Sequence, residues 1–274
     1  AQAGAAVTTG TNNTLIGGLA GDAITTGTHN VAVGYNSLST DTAGKFSVAV
    51  GGGALEVQNF TSATNAYNTG IGWLAGAAVT TGTNNTLIGG LAGDAITTAS
   101  SNVAVGYASL GANTTGASNT SVGLNAGAGI TTGNHNISIG LYANWEQTLL
   151  TTGSQNIAIG NFTRTNAVDS TYATVIGYNV SGTSGYFTIG RDAQDIRTAH
   201  GSTTWATVSD ERYKKDITDS TAGLSFINAL QPRTFKYKTL GELPETFNAY
   251  EADSTEVFKN SDTNHGFIAQ EIKA

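Results

Sequence analysis

The chain has 274 residues, of which 36 are Gly and 2 are Pro, with no Cys, no Met and 11% charged side chains. A globular domain usually carries about 25% charged residues and about 7% Gly, so this composition predicts repetitive β-structure with short turns, not an ordinary enzyme domain. The lack of Cys excludes disulfides and thiolate metal sites, and a net charge of −7 without a basic patch argues against a nucleic-acid partner.

No apolar run approaches the roughly 18 residues of a membrane span, and no basic segment followed by an apolar stretch opens the chain, so membrane insertion is not expected. The missing initiator Met implies a fragment or a processed product. Charge is uneven: residues 1–208 hold 4 Lys/Arg and 8 Asp/Glu, whereas residues 209–274 hold 8 and 11. Both prolines, Pro232 and Pro244, lie in the second part and 33 of the 36 glycines in the first. Two different materials therefore meet near residue 208. The reading places a repeat shaft at 1–193, a junction strand at 194–208 and a small α+β domain at 209–274.

From the amino terminus, residues 5–26 (AAVTTGTNNTLIGGLAGDAITT) recur unchanged at 77–98. Within that long repeat runs a shorter one. A Gly preceded by Ile or Val stands at Gly17, Gly34, Gly51, Gly72, Gly89, Gly106, Gly123, Gly140, Gly160, Gly177 and Gly190, mostly 17 residues apart. Four residues before it stands Asn in eight units, from Asn13 to Asn156, and three after it a small residue such as Ala20, Ser37 or Ala92. Gly and β-branched residues at a period near two predict short strands and exclude helix. The expected fold is all-β: a parallel β-roll or β-solenoid that coils once or so per unit and stacks like positions about 4.7–4.9 Å apart. The Ile/Val column is expected to form the interior ladder, and stacked Asn side chains to bond to each other and to turn backbone. Such a thin coil is a poor core, so Leu15, Leu19, Leu38, Leu87 and Leu91 are expected at an exposed surface that packs three chains into a homotrimer.

The repeats NVAVGYNSL (30–38), NVAVGYASL (102–110) and NTSVGLNAG (119–127) resemble the head repeats of trimeric autotransporter adhesins, which are left-handed parallel β-rolls, and shaft repeats of bacteriophage tail fibres. The adhesin unit is usually shorter than 17 residues.

The second part reads SDERYKKDI (209–217), then GLSFINALQP (223–232), a short amphipathic helix stopped by Pro232, then RTFKYK (233–238), alternating like a strand, and HGFIAQEI (265–272). These motifs resemble the intramolecular chaperone autoprocessing domain at the carboxyl end of phage tail spikes, tail fibres and neck appendages. The resemblance implies a self-cleaving trimerisation chaperone in which Ser209 is the nucleophile, Lys214 its base and the Ser209–Asp210 peptide bond the cleavage site. A Lys can serve as base only with a lowered pKa, to which Arg212 and Lys215 could contribute. The chain ends without the long helices usual in that family, so the chaperone is expected to be truncated.

Without the resemblance, Ser209 reads as a helix N-cap and Lys214 as a solvated side chain. His265 reads as structural, His29 and His135 as surface loop residues, and Trp73, Trp145 and Trp205 as packing residues that could alternatively stack on sugars. No cofactor and no metal are expected. The shaft acids, among them Asp22, Asp41, Glu56, Asp94, Asp192 and Asp195, are too scattered for the paired carboxylates of a glycan-cleaving spike, so any enzyme activity is at most a single-turnover autoprotease. The expected role is a virion fibre, the shaft of a phage tail fibre, spike or appendage. Its partners are two further copies, other tail or neck proteins, and a host surface receptor that could be a glycan. One alternative is a bacterial trimeric surface adhesin head, disfavoured by the absence of an anchor segment or heptads. The other is an ice-binding solenoid, suggested by Thr pairs such as Thr8/Thr9 and Thr97/Thr98 but disfavoured because they abut turn glycines.

Overall fold

The computed structural model describes residues 2–145, 150–202, 206–207, 233–245, 250–259 and 262–266. The chain divides into two compact units, Ala1–Ser209 and Asp210–Ala274.

The first unit is a parallel β-solenoid. Strands of three to six residues end each repeat: Thr14–Ile16, Val31–Val33, Val48–Val50, Thr69–Ile71, Thr86–Ile88, Val103–Val105, Thr120–Val122, Ile137–Ile139, Ile157–Ile159, Thr174–Tyr178 and Tyr186–Arg191. Each pairs in parallel with the next, like position on like position, as in Leu87↔Ala104 and Ala104↔Ser121. Gln194–Ala199 and Ala206–Thr207 then add antiparallel and complete a 13-stranded sheet. The glycine that ends each strand is required by close approach. Gly89 sits at φ +132°, and a Cβ there would lie 2.5 Å from the carbonyl oxygen of Gly106 in the next coil.

The register Asn residues form a buried ladder. Asn102 is typical. Its side-chain oxygen accepts the backbone N–H of Asn119 at 2.9 Å, and its Nδ2 donates to the carbonyl of Gly116 at 3.0 Å. The same pattern links Asn68, Asn85, Asn119, Asn136 and Asn156. Interior backbone groups that a turn leaves unpaired are thereby satisfied coil to coil. The first Thr of each pair works similarly on the outside: Thr80, Thr97 and Thr114 donate their hydroxyls to the carbonyls of Thr97, Thr114 and Thr131.

The interior is the reverse of the expected one. Side chains alternate along a strand, and here the middle residue points inward: Ala32, Ala49, Leu87, Ala104, Ser121, Ser138, Ala158 and Val175 are fully buried. The Ile/Val before each corner glycine therefore points outward, and Ile16 is 59% exposed. The expected exposed leucines are likewise corrected, since Leu38 and Leu87 are fully buried and Leu15, Leu19 and Leu91 half-buried. Three further columns complete the core. One is the small residue after the glycine, as in Ala20, Ala54, Ala75 and Ala92. The next position holds Leu38, Leu55 and Leu110. The last holds Ile24, Val79, Ile96 and Ile130.

In the second unit, Arg233–Phe235 pairs antiparallel with Asn264–Gly266, Thr234 opposite His265. A single 3₁₀ turn, Leu240–Glu242, follows Thr239, whose backbone N–H donates to the Glu242 carboxylate at 2.9 Å. The predicted helix at 223–232 lies outside the described residues.

Candidate functional site

The strand pair of the second unit carries a small aromatic cluster. Phe235 meets Tyr237 edge-on with ring centroids 5.5 Å apart, Tyr237 lies 6.3 Å from Phe258, and the Lys259 ammonium sits 5.2 Å from the centre of the Tyr237 ring. The hydrogen bonds from Thr239 hold the exposed Glu242 carboxyl below its ordinary range. Ser209, Asp210, Lys214, Arg212 and Lys215 lie outside the described residues, as does Trp205. The His265 backbone is placed on a strand.

Residues 209–274 match the family described as chaperone of endosialidase. The carboxyl-terminal unit carries a chaperone of endosialidase domain. No curated protein and no solved structure matches the chain. The chaperone domain begins at Ser209, where the solenoid unit ends.

On the solenoid, the outer sheet face presents a continuous aliphatic row. Ile71, Val122, Ile139, Ile159 and Ile189 are each more than a third exposed, and Val33, Val50, Ile88, Val105 and Ile176 are half-buried. The outward residues two positions earlier add Val31, Val48, Val103, Ile137 and Ile157. Parallel in-register pairing sets these side chains on one line along the coil axis. Large aromatics flank the row just past the corner glycines: Tyr35, Trp73 and Tyr107 stand exposed in alternate coils, and each ring lies over the glycine of the coil before it, Gly18, Gly52 and Gly90.

A second aromatic line runs along another corner, where His29 stacks on Phe46 at 5.1 Å and Phe46 on Tyr67 at 5.2 Å. His29 and His135 are exposed there, as the sequence suggests. Asn12 lies 3.0 Å from the His29 ring Nε2. Trp145 leans on Tyr142 with centroids 4.8 Å apart.

Among the described residues no group of three His, Asp or Glu is arranged to hold a metal. Asp192 is exposed, takes a hydrogen bond from Asn179 and lies 3.6 Å from the Arg191 guanidinium. Asp41 differs from the other acids among the described residues: it is 1% exposed and closed in by hydrogen bonds. In the sequence Asp41 is one of several scattered acids. The available signal was its place, seven residues after a corner glycine, where Ile24 and Ile96 stand in other repeats.

Proposed function

We propose that the chain is a structural fibre of a phage particle, a homotrimeric β-solenoid shaft that takes part in host attachment, with a carboxyl-terminal chaperone that removes itself. The observation that carries this reading is the combination in one chain of a long solenoid with a chaperone of endosialidase domain. Such a solenoid stacks near-identical coils, so its alignment is weakly specified by its own contacts, and a domain that sets three chains in register before coiling supplies what the repeats lack. The outward Ile/Val row supports the trimer, because a contiguous aliphatic stripe along a rod is costly to leave in water. In this reading Ser209 is the nucleophile, Lys214 is the base that takes its hydroxyl proton, and the chain is cut at the Ser209–Asp210 bond. Lys214 must be neutral to act, so desolvation as the three chains come together would switch the reaction on only in an assembled fibre.

The test compares the expressed full chain with Ser209→Ala by mass spectrometry and denaturing gel. The natural chain yields a shaft fragment ending at Ser209 and a separate chaperone, and the variant stays whole. Equal, uncut masses for both would remove the autoprocessing assignment. Light scattering on the same preparations decides the trimer, which a monomer mass would exclude.

A further inference from the structure

The interior column seven residues past the corner glycine is apolar in most coils, with Ile24, Val79, Ile96 and Ile130 fully buried. Asp41 and Gln58 occupy it in two adjacent coils, 1% and 0% exposed. They are joined directly: Gln58 Nε2 donates to Asp41 Oδ2 at 2.7 Å. Asp41 Oδ1 accepts from the backbone N–H of Gly44 at 3.1 Å and of Phe60 at 3.0 Å. Gln58 also donates to Ser47 Oγ at 2.9 Å and accepts from Asn68 Nδ2 at 2.8 Å, so every partner is used. Gly44 makes room for this cluster, because a Cβ there would overlap the Asp41 carboxylate.

We propose that the Asp41–Gln58 pair is a register key, a buried polar link between neighbouring coils that excludes stackings in which either coil is skipped. The apolar columns cannot do this, since Ile stacks on Val or on Ile about equally well and volume-conserving exchanges are tolerated. If the Gln58 coil were looped out, Asp41 would face Val79. If the Asp41 coil were looped out, Gln58 would face Ile24. Either arrangement buries a polar group stripped of its partner, which is strongly disfavoured. A buried polar contact that fixes register is the best-attested use of such groups. The position of the key is also informative. It borders the longest repeat, the 21 residues from Gly51 to Gly72, and the Phe60 N–H it captures lies in that coil. There the chain makes an extra parallel pair, Gly44–Lys45 with Thr64–Asn65, as it does again further along with Arg164–Thr165 and Ser181–Gly182. The inference concerns the shaft alone and is independent of what the fibre binds.

The test uses the expressed full chain carrying Asp41→Val together with Gln58→Val, which continues the column as Val79 does. The expected result is a thermal midpoint equal to or above the natural one. Hydrogen–deuterium exchange of peptides covering residues 31–72 should then split into a protected and a fast-exchanging population, where the natural chain shows one. Asn113→Val is the control, because Asn113 lies in the same column but bonds only to Gly116 in its own repeat; it should leave a single population. A single protected population in the double variant overturns the proposal. So does the same split in Asn113→Val, which would tie heterogeneity to polarity and not to the link between coils. A double variant that does not fold assigns the pair to stability and overturns it equally.

Discussion

Leu87 occupies the space that Gly93 leaves empty: a Cβ on Gly93 would lie 2.7 Å from Leu87 Cδ2. The relationship reverses in the next coil, where Ala104 takes the strand position and Leu110 the corner. Of these two positions each coil fills one with leucine, and the backbone at the corner is left-handed in both cases, φ +57° at Gly93 and +54° at Leu110. That shared conformation is what makes the exchange possible.

Moving the leucine from wall to wall should therefore be tolerated. Leu87→Ala alone removes the filling of a closed coil and should cost about 2–5 kcal/mol. Gly93→Leu alone overfills it, at about 1–3 kcal/mol or more. The double variant rebuilds the Ala104/Leu110 pair and should recover part of the loss, a coupling between neighbours, with Ile96, 2.8 Å from a Cβ at Gly93, still to be accommodated. Thermal unfolding of the four proteins checks this, and additive losses would contradict the exchange of the leucine between the two positions.

Asn102 holds two coils together: it accepts the N–H of Asn119, and it shares the carbonyl of Gly116 with Asn113. Asn102→Ala leaves the N–H of Asn119 without its partner inside the shaft, at about 1–3 kcal/mol, while the carbonyl of Gly116 keeps its bond from Asn113. Hydrogen exchange should speed first at Asn119 and its neighbours, while coils far along the stack stay protected, as nearest-neighbour coupling requires.

Asp41 makes stability depend on pH. Burial pushes its carboxyl above the ordinary value of 3.8, against the lowering effect of hydrogen bonds from Phe60, Gln58 and Gly44. The folded chain therefore holds a proton that the unfolded chain has already released, and stability from this site falls as pH rises from the ordinary carboxylate value through the raised one. The difference in thermal midpoint between the natural chain and Asp41→Val/Gln58→Val should shift in favour of the variant from about pH 3.5 to pH 6. A difference that is flat with pH would mean that the carboxyl titrates as in water. Asp94, also raised by burial, is common to both proteins and cancels.

The outward aliphatic row is open to a direct challenge. Ile139→Glu places one carboxylate per chain on that face without touching the coil interior, where Ser138 points. If three chains meet there, like charges brought together cost several kcal/mol and the mass in solution should fall from trimer toward monomer, while circular dichroism keeps its β-signal. An unchanged trimer mass would move the interface to another face.

The repeat period, the corner glycines and the Asn ladder are legible in the sequence because each is a local requirement repeated many times. A left-handed or close-approach corner needs Gly wherever it occurs, and the carboxamide of Asn102 can reach only the coils stacked on it. The chaperone motifs are equally legible, since they recur as contiguous strings from Ser209 onward. Which side of the strand faces inward is not legible. In Val103–Val105 both outer residues are more apolar than the Ala between them, so hydrophobicity in a three-residue strand points to the wrong face. Only the closed coil decides it: its interior takes Ala104 beside Leu110, and Val103 and Val105 are turned out as part of a row along the rod. The same closure gives Asp41 its role: in the sequence it is one acid among several, and burial beside Gln58 makes it a link between coils.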